Sequence, residues 1–161
     1  MPFRSSAFLF LALMPTLAWA ISGATLEPVQ QAYRDFAWEA VVDSPTVGQP
    51  LLAQSDAVWA RYFSPRLIRQ LRADRRCVAK THGPCRLDFS PLWASQDPSA
   101  TRLVIQPGTA PATVEVSFDV PGSGQRTRII FHVVRRPEGW RIDDVTYPDG
   151  QQLRQLLAAP R

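Results

Sequence analysis

The sequence predicts an α+β domain in which N-terminal helices pack on a curved antiparallel sheet of about four strands, with a short C-terminal helix. Three observations support this prediction. Apolar residues recur at helical spacing in the first half of the chain. From residue 113 onward they alternate with polar residues, as in strands with one solvated face. Helices first and strands after is the order typical of an α+β domain.

The first 20 residues predict a secretory signal peptide. They contain a short basic start with Arg4, an apolar run, and a small-x-small end at Ala18-Trp19-Ala20, so we expect cleavage after Ala20. The apolar run is shorter than the roughly 20 residues that a membrane span needs, and it contains Pro15. We therefore expect no membrane span, a periplasmic or secreted location, and a single domain over residues 21–161.

The first half of the mature chain predicts three helices. The first has Thr25 as its cap and Pro28 in its first turn, and it ends before Asp43. Residues 51–62 predict a shorter second helix. The third follows Ser64-Pro65, a cap with a first-turn proline. Its buried stripe is expected to comprise Leu67, Ile68, Leu71 and Val78.

The second half predicts four strands and a terminal helix. Turn formers at residues 121–124 and 137–139 separate the longest alternating segments, and residues 148–150 end the last strand. Leucines after that break indicate a short helix. The predicted strands cover residues 102–106, 113–120, 126–136 and 140–147.

The charge and the two cysteines limit the expected partners. Cleavage would remove Arg4 and leave 17 basic against 14 acidic residues, a mildly positive balance spread along the chain, so we expect no nucleic acid partner. Cys77 and Cys85 favour a disulfide in an exported chain. Their loop supplies only His82 as a further metal ligand, so we expect neither a metal site nor a cofactor.

Several short segments resemble one fold family, in the same order along the chain. On these segments the chain is similar to the nuclear-transport-factor-2-like (cystatin-like) α+β cone, and more narrowly to uncharacterised bacterial periplasmic proteins and lipoproteins that carry it. The segments are RYFSPRL at 61–67, LDFSP at 87–91, QD at 96–97, GWRIDDV at 139–145, DG at 149–150 and LR at 153–154.

The resemblance implies a fold more than an activity, because such cones include isomerases, dehydratases, hydrolases and non-catalytic binding modules. Some small periplasmic proteins of this broad type resemble immunity proteins or inhibitors of secreted toxins. Cone domains often pair through the exposed sheet face, so the resemblance also implies a homodimer. The family's frequent lipid anchor has no acceptor here, since no cysteine lies near the cleavage site.

Asp143 and Asp144 are the candidate catalytic residues if the protein is an enzyme. These adjacent carboxylates interrupt the alternation of the last strand, and a bulge that turned one inward would offer a base or polar anchor. The alternative is structural: the two residues cap the final turn or pair with Arg141 and Arg128. Around Asp144, the candidate ligand-binding residues are Tyr62, Trp140 and His132.

A row of arginines on the third helix is the candidate partner surface. Such a ridge could meet an anionic partner such as lipopolysaccharide, an acidic toxin face or a cell-wall polymer. The alternative is an ordinary solvated helix face. The row has helical spacing and consists of Arg66, Arg69, Arg72 and Arg76.

The first functional hypothesis is a non-catalytic exported binding domain that recognises a protein partner or a small ligand, including an immunity or inhibitor protein. It rests on the lack of a recognisable catalytic motif, because the chain has two histidines and no Gly-x-Ser-x-Gly elbow. One alternative is a cofactor-free isomerase or dehydratase-type enzyme with an Asp base. The other is an envelope accessory protein that uses the arginine ridge.

Overall fold

The structure of the protein, a computed structural model, describes residues 16–41 and 48–159, with side chains from Gly23 onward. Helices come first, a four-stranded antiparallel sheet follows, and a short helix ends the described chain, which confirms the α+β class. The elements are α1 Thr16–Phe36, α2 Asp56–Tyr62, α3 Pro65–Thr81, β1 Thr101–Pro107, β2 Thr113–Asp119, β3 Arg126–Arg136, β4 Gly139–Thr146 and α4 Leu153–Ala158.

Helix α1 begins earlier than predicted. It runs from Thr16 through Thr25 and Pro28, so the prediction that Thr25 caps it and that Pro28 lies in its first turn was wrong. The alanines and leucines upstream of Pro28 favour helix, and a proline removes only one main-chain hydrogen bond from a helix that is otherwise continuous. The predicted cleavage after Ala20 falls within α1, whereas residues 1–15 lie outside the described residues.

The predicted second helix is two elements. A 3-10 turn at Leu51–Ala53 comes first, and α2 begins only at Asp56. Ser55 separates them, because its backbone is extended and its hydroxyl accepts the N–H of Val58 at 3.4 Å as the N-cap of α2.

Helix α3 starts as predicted, but one residue of its predicted buried stripe is exposed. The Ser64 hydroxyl accepts the N–H of Leu67 at 3.1 Å, which confirms the cap. Leu67, Ile68 and Leu71 are buried, but the predicted burial of Val78 was wrong, since 38 % of it is exposed. The last buried residue of α3 is Asp74, so Val78 lies beyond the turns that contact the core.

The predicted disulfide is confirmed. Cys77 on α3 is bonded to Cys85, and the intervening loop turns at His82, whose φ of 55° is left-handed. Asp74 accepts the N–H of Arg86 at 2.8 Å just beyond the bridge. The two contacts hold the end of α3 against the chain that leads to the sheet.

The sheet is a meander with the order β1-β2-β3-β4. On its inner face Phe131 of β3 lies between Val114 of β2 and Val145 of β4. The register shifts between His132 and Val133, which places Asp143 as the extra residue of a bulge in β4. The bulge considered from the sequence is therefore present, and it ends the simple alternation at the carboxylate pair.

Aromatic side chains fill the space between the helices and the sheet. Tyr33 of α1 packs edge-to-face on Phe131 at 5.9 Å and on Trp93 at 5.0 Å between ring centroids. Phe36 and Tyr62 form a second such pair at 5.8 Å. The centre of the domain is thus a packed core. In the part of the chain that is described, no helix is long and apolar enough to cross a membrane.

Candidate functional site

The adjacent carboxylates of Asp143 and Asp144 connect β4 to α3 and α4. The Oδ1 atom of Asp144 accepts the N–H groups of Val145 at 2.8 Å and Arg154 at 3.0 Å, so it caps the start of α4. Asp143 accepts the Ser64 hydroxyl at 2.6 Å and the Arg154 guanidinium at 3.1 Å. Both carboxylates are thereby engaged in connecting β4 to the first turns of α3 and α4.

The predicted pairing of these carboxylates with Arg141 and Arg128 was wrong. Arg128 pairs across the sheet with Glu115, and Arg141 donates from Nε to the Ala60 carbonyl at 2.9 Å. The reason is tertiary, because α4 folds back against β4 and brings Arg154 to the carboxylate of Asp143.

Tyr62 lies on the helical side of the sheet, apart from His132. Its hydroxyl donates to the carboxylate of Asp35, and burial followed by this hydrogen bond raises the pKa of Tyr62 to about 12. His132 faces the other side of the sheet, because Phe131 and Val133 beside it face the core. The two residues therefore do not share a site.

His132 and Trp140 also lie in different surroundings. The Nε2 atom of His132 is 2.8 Å from the Thr146 hydroxyl, and its register partner on β4 is Asp144. Trp140 is half-buried, with the Arg135 guanidinium 5.9 Å from its ring centroid. Of the four predicted ligand-binding residues, the structure brings only His132 and Asp144 next to each other.

A cleft of about 450 Å³ opens where β2 ends, β3 begins and β4 ends. This cavity, called the cleft below, lies between these strand ends and the segment that follows the disulfide loop. Its lining includes the aromatic residues Phe89, Trp93, Phe118 and Tyr147 and the polar residues Asp97, Gln125, Thr127, Asp149 and Gln151.

Tight turns hold the walls of the cleft. Ser90 donates its N–H to the Ser95 carbonyl at 2.9 Å, and Ala94 in between has a left-handed φ of 54°. On the opposite wall, Tyr147 donates its N–H to the Gln151 carbonyl at 2.9 Å. Gly150 in that turn has a φ of 84°, which glycine adopts without strain. Both walls are thus fixed by their own main chain.

Two buried donors at the cleft have no partner among the described residues. They are the indole Nε1 of Trp93 and the hydroxyl of Tyr147, in side chains only 4 % and 6 % exposed. A buried polar group without a partner costs about 1 to 3 kcal/mol, so native proteins nearly always satisfy it. Neither atom is accessible from the cleft in this structure, so an acceptor in the cleft would meet them only if the side chains shifted toward the cavity.

Ring contacts fix both donors in place. Trp93 packs edge-to-face on Tyr33 at 5.0 Å and on Phe118 at 5.3 Å, and Tyr147 packs on Phe89 at 5.1 Å. Aromatic pairs of this geometry resist reorientation. The two rings, which line the cleft, are therefore held in place by their neighbours.

The charged residues that line the cleft are acidic, and its phenol stays protonated. Among the described residues, the lining includes the carboxylates of Asp97 and Asp149 and no lysine, arginine or histidine. Burial, followed by the charges of Asp144 and Asp149, raises the pKa of Tyr147 far above its ordinary value. At neutral pH the Tyr147 hydroxyl is therefore a hydrogen-bond donor.

Some residues of this cleft lie in segments that the sequence analysis singled out. Phe89 belongs to the LDFSP segment, Asp97 to the QD segment and Asp149 to the DG segment, all of which contribute to the family resemblance. Trp93 and Tyr147 were missed, because large aromatic residues ordinarily indicate core packing. The segments around 87–99 and 147–151 come together only in the folded chain, so the sequence alone could not show that they form one cleft.

The arginine ridge divides into paired and unpaired members. Arg72 pairs with Asp56 at 2.5 Å. Arg66, Arg69 and Arg76 are exposed and have no hydrogen bond or ion pair with any described residue. Among the residues that the structure describes, no group of three or more His, Cys, Asp or Glu side chains could hold a metal ion.

Comparisons with known proteins assign no family to the chain. No family model matches it, and no curated protein is similar to it. One solved structure, a phospholipid-binding protein from Ralstonia solanacearum in complex with a phospholipid, has 17% sequence identity and a TM-score of 0.36, covering 86% of this chain and 71% of that chain. A similarity this low carries no structural or functional argument.

Proposed function

We propose that this protein is a non-catalytic binding domain whose ligand occupies the cleft. The observation that carries the proposal is the pair of rigid, buried and unpartnered donors, Trp93 Nε1 and Tyr147 OH, in side chains that line one cavity. The rings are fixed by their packing, which lowers the ordering cost of binding, and a small shift of either side chain toward the cavity would let its donor meet a ligand acceptor. A cavity of this size accommodates a small molecule or one side chain of a partner protein.

The chemistry of the cleft selects the ligand. The ligand carries hydrogen-bond acceptors, such as carbonyl or hydroxyl oxygens, to meet the Trp93 and Tyr147 donors. It is neutral or positively charged, because Asp97 and Asp149 repel anions and the described residues of the lining include no cation. It is partly apolar, because Phe89 and Phe118 form part of the wall.

The enzyme alternative has less support. A general base must be free to take a proton, but Asp144 and Asp143 accept hydrogen bonds from the main chain, a hydroxyl and a guanidinium. The aromatic core also occupies the central space where such a base would meet a substrate. We therefore do not assign an isomerase or dehydratase activity.

Export belongs to the same proposal. The signal-like residues 1–20 support it, and a disulfide between Cys77 and Cys85 is the kind of bond that persists in oxidising compartments. We propose a periplasmic or secreted domain of the nuclear-transport-factor-2-like cone type. Within that proposal, an immunity or inhibitor protein is the form in which the cleft would hold a side chain of a protein partner.

A homodimer through the exposed sheet face is a further part of the proposal, implied by the family resemblance. That face carries charges that already pair with one another, such as Arg126 with Asp119 at 2.8 Å. A dimer would have to cover these pairs. Size-exclusion chromatography with light scattering would measure the mass in solution.

The cleft is tested by NMR on the tryptophan indole N–H signals. Three probes are titrated into the full chain: N-acetylglucosamine, which is neutral, arginine methyl ester, which is cationic, and citrate, which is anionic. We expect a saturable shift of the Trp93 indole signal with a neutral or cationic probe and none with citrate. Trp93→Phe and Tyr147→Phe keep the rings, remove one donor each, and are expected to weaken binding about ten-fold per lost hydrogen bond.

Matched controls are Trp140→Phe and Tyr62→Phe, which remove an indole N–H and a phenol O–H outside the cleft, the latter hydrogen-bonded to Asp35. Binding that shifts the Trp140 signal and leaves Trp93 unchanged would contradict the cleft and favour the site around Tyr62, Trp140, Asp144 and His132. Equal losses in cleft and control variants would also contradict it, as would citrate binding as well as the other probes.

A further inference from the structure

The cationic side chains of this protein fall into two groups. Most have a local acceptor or ring: Arg61 pairs with Asp35, Arg128 with Glu115, and Arg154 with Asp143. The exceptions among the described residues have no such contact, although all are exposed. These unpartnered cations, which we call the basic stripe, are Arg66, Arg69, Arg76, Lys80 and Arg136.

The basic stripe is one continuous feature. Along α3, Arg66, Arg69, Arg76 and Lys80 are separated by three, seven and four residues, each close to a whole number of helical turns, so they lie in one row. The row is about 21 Å long at 1.5 Å per residue. Arg136 at the end of β3 lines the same depression of about 320 Å³ as Arg66 and Arg69.

The one carboxylate at this depression is already engaged. Asp143 lines it too, but its oxygens accept the Ser64 hydroxyl and the Arg154 guanidinium. The positive charge of the stripe therefore has no internal counterion among the described residues. These charges would be complemented electrostatically by an external anionic partner.

We propose that the basic stripe binds the surface of an anionic phospholipid membrane. A straight row on a convex helix can contact a flat charged plane along its whole length. The core of a stable protein interface is apolar, whereas the exposed large apolar residues among those described, Val41, Val78, Leu103 and Val104, all lie outside the row. Attraction between Lys or Arg and anionic lipid headgroups needs no apolar core.

The test is cosedimentation of the full chain with vesicles. Vesicles of phosphatidylcholine alone are compared with an equimolar mixture of phosphatidylcholine and phosphatidylglycerol at low and high salt. The apolar N-terminal residues contribute to both vesicle types, so the difference between the two isolates the charge effect. We expect stronger binding to the anionic vesicles, which decreases as salt shortens the screening length.

The decisive variants change the stripe and leave the fold unchanged. Arg69→Gln with Arg76→Gln should lower partition to anionic vesicles by about five-fold per cation removed. Arg69→Lys with Arg76→Lys should retain binding, because a membrane surface attracts charge rather than guanidinium geometry. The matched control, Arg102→Gln with Arg128→Gln, removes the same net charge from the exposed sheet.

Three results would overturn the proposal. Equal binding to neutral and anionic vesicles is one, and an equal loss in the stripe and control variants is another. The third is failure of the lysine variant, which would indicate a partner that reads guanidinium geometry, such as an acidic protein. Circular dichroism of each variant confirms that the native fold is retained.

Discussion

The cleft and the basic stripe lie at opposite ends of β3 and contrast in burial and in charge. Thr127, near the start of the strand, lines the cleft, and Arg136 at its end belongs to the stripe. Arg136 is nine residues along the strand from Thr127, or about 30 Å at 3.3 Å per residue. The cleft has buried donors without partners and acidic walls. The stripe has exposed cations without partners.

The two regions contribute differently to the stability of the native state. A buried unpartnered donor destabilises the free protein, so the cleft retains Trp93 and Tyr147 at a cost that a ligand would offset. An exposed cation is hydrated by water, and its pairing is worth about 0 to 1 kcal/mol. Changes in the cleft should therefore alter stability and ligand binding together, whereas changes in the stripe should alter only long-range attraction.

The largest expected effect comes from alkaline pH, which acts on the buried tyrosines, including Tyr147 at the cleft, and spares the stripe arginines. All three tyrosines have raised pKa values in the native state: burial raises those of Tyr33 and Tyr147 strongly, and Tyr62 is at about 12. Unfolded tyrosine has a pKa of about 10. The stability from neutral tyrosines is therefore intact below about pH 10 and decreases as the pH rises above that value.

Ultraviolet absorbance of tyrosinate would measure the ionisation of the tyrosines, and far-ultraviolet circular dichroism would measure the loss of the fold in the same pH titration. We expect little tyrosinate while the fold persists and a cooperative increase as it is lost. Titration of the tyrosines near pH 10 with an unchanged native spectrum would contradict the burial of their hydroxyl groups.

Removing the indole of Trp93 should have the next largest effect. Trp93→Ala deletes a nearly buried ring that packs on Tyr33 and Phe118, and large-to-small changes of this kind cost about 3 to 5 kcal/mol. Arg69→Ala on the stripe should change the free energy of unfolding by no more than about 0.5 kcal/mol. Urea denaturation measures both. A cost below about 1 kcal/mol for Trp93→Ala would show that the cleft floor is not part of the core.

A smaller effect than that of Trp93→Ala concerns the start of the helix that carries the stripe. Ser64→Ala removes the N-cap of α3 and a hydrogen bond to Asp143, so it should destabilise the protein by about 1 to 2 kcal/mol. Ser55→Ala is the matched control at the start of α2, where the cap is exposed and its contact is 3.4 Å long. Thermal denaturation should show the larger loss for Ser64→Ala, and equal losses would contradict a buried anchoring role for Ser64.

Local chemistry predicted most of the fold. The Ser64-Pro65 start of α3 and the alternation of Val114, Val116 and Phe118 were sufficient to place a helix and a strand, because capping and pleat depend on neighbouring residues alone. The start of α1 could not be predicted in the same way. Thr25 and Pro28 are typical of a helix start, but they lie inside a longer helix.

The cleft was predicted less well than the elements around it. Trp93 and Tyr147 are of residue types that ordinarily pack in the core. Only the folded structure shows that the Trp93 N–H and the Tyr147 O–H lack acceptors. Asp143 and Asp144 had the pattern of a functional pair. Their contacts with Ser64 and Arg154 depend on α3 and α4, which lie about 80 and 10 residues away in sequence.

The sequence by itself determined the element types, the helical row of arginines and the cysteine pair, because each depends on spacing over a few residues. Tertiary structure decided which arginines remain unpaired, what the adjacent carboxylates bind and where a cavity opens. The physical reason is that these hydrogen bonds, ion pairs and buried contacts join residues that are distant in sequence. Periodicity describes only neighbouring residues, so it does not show which distant residues come into contact.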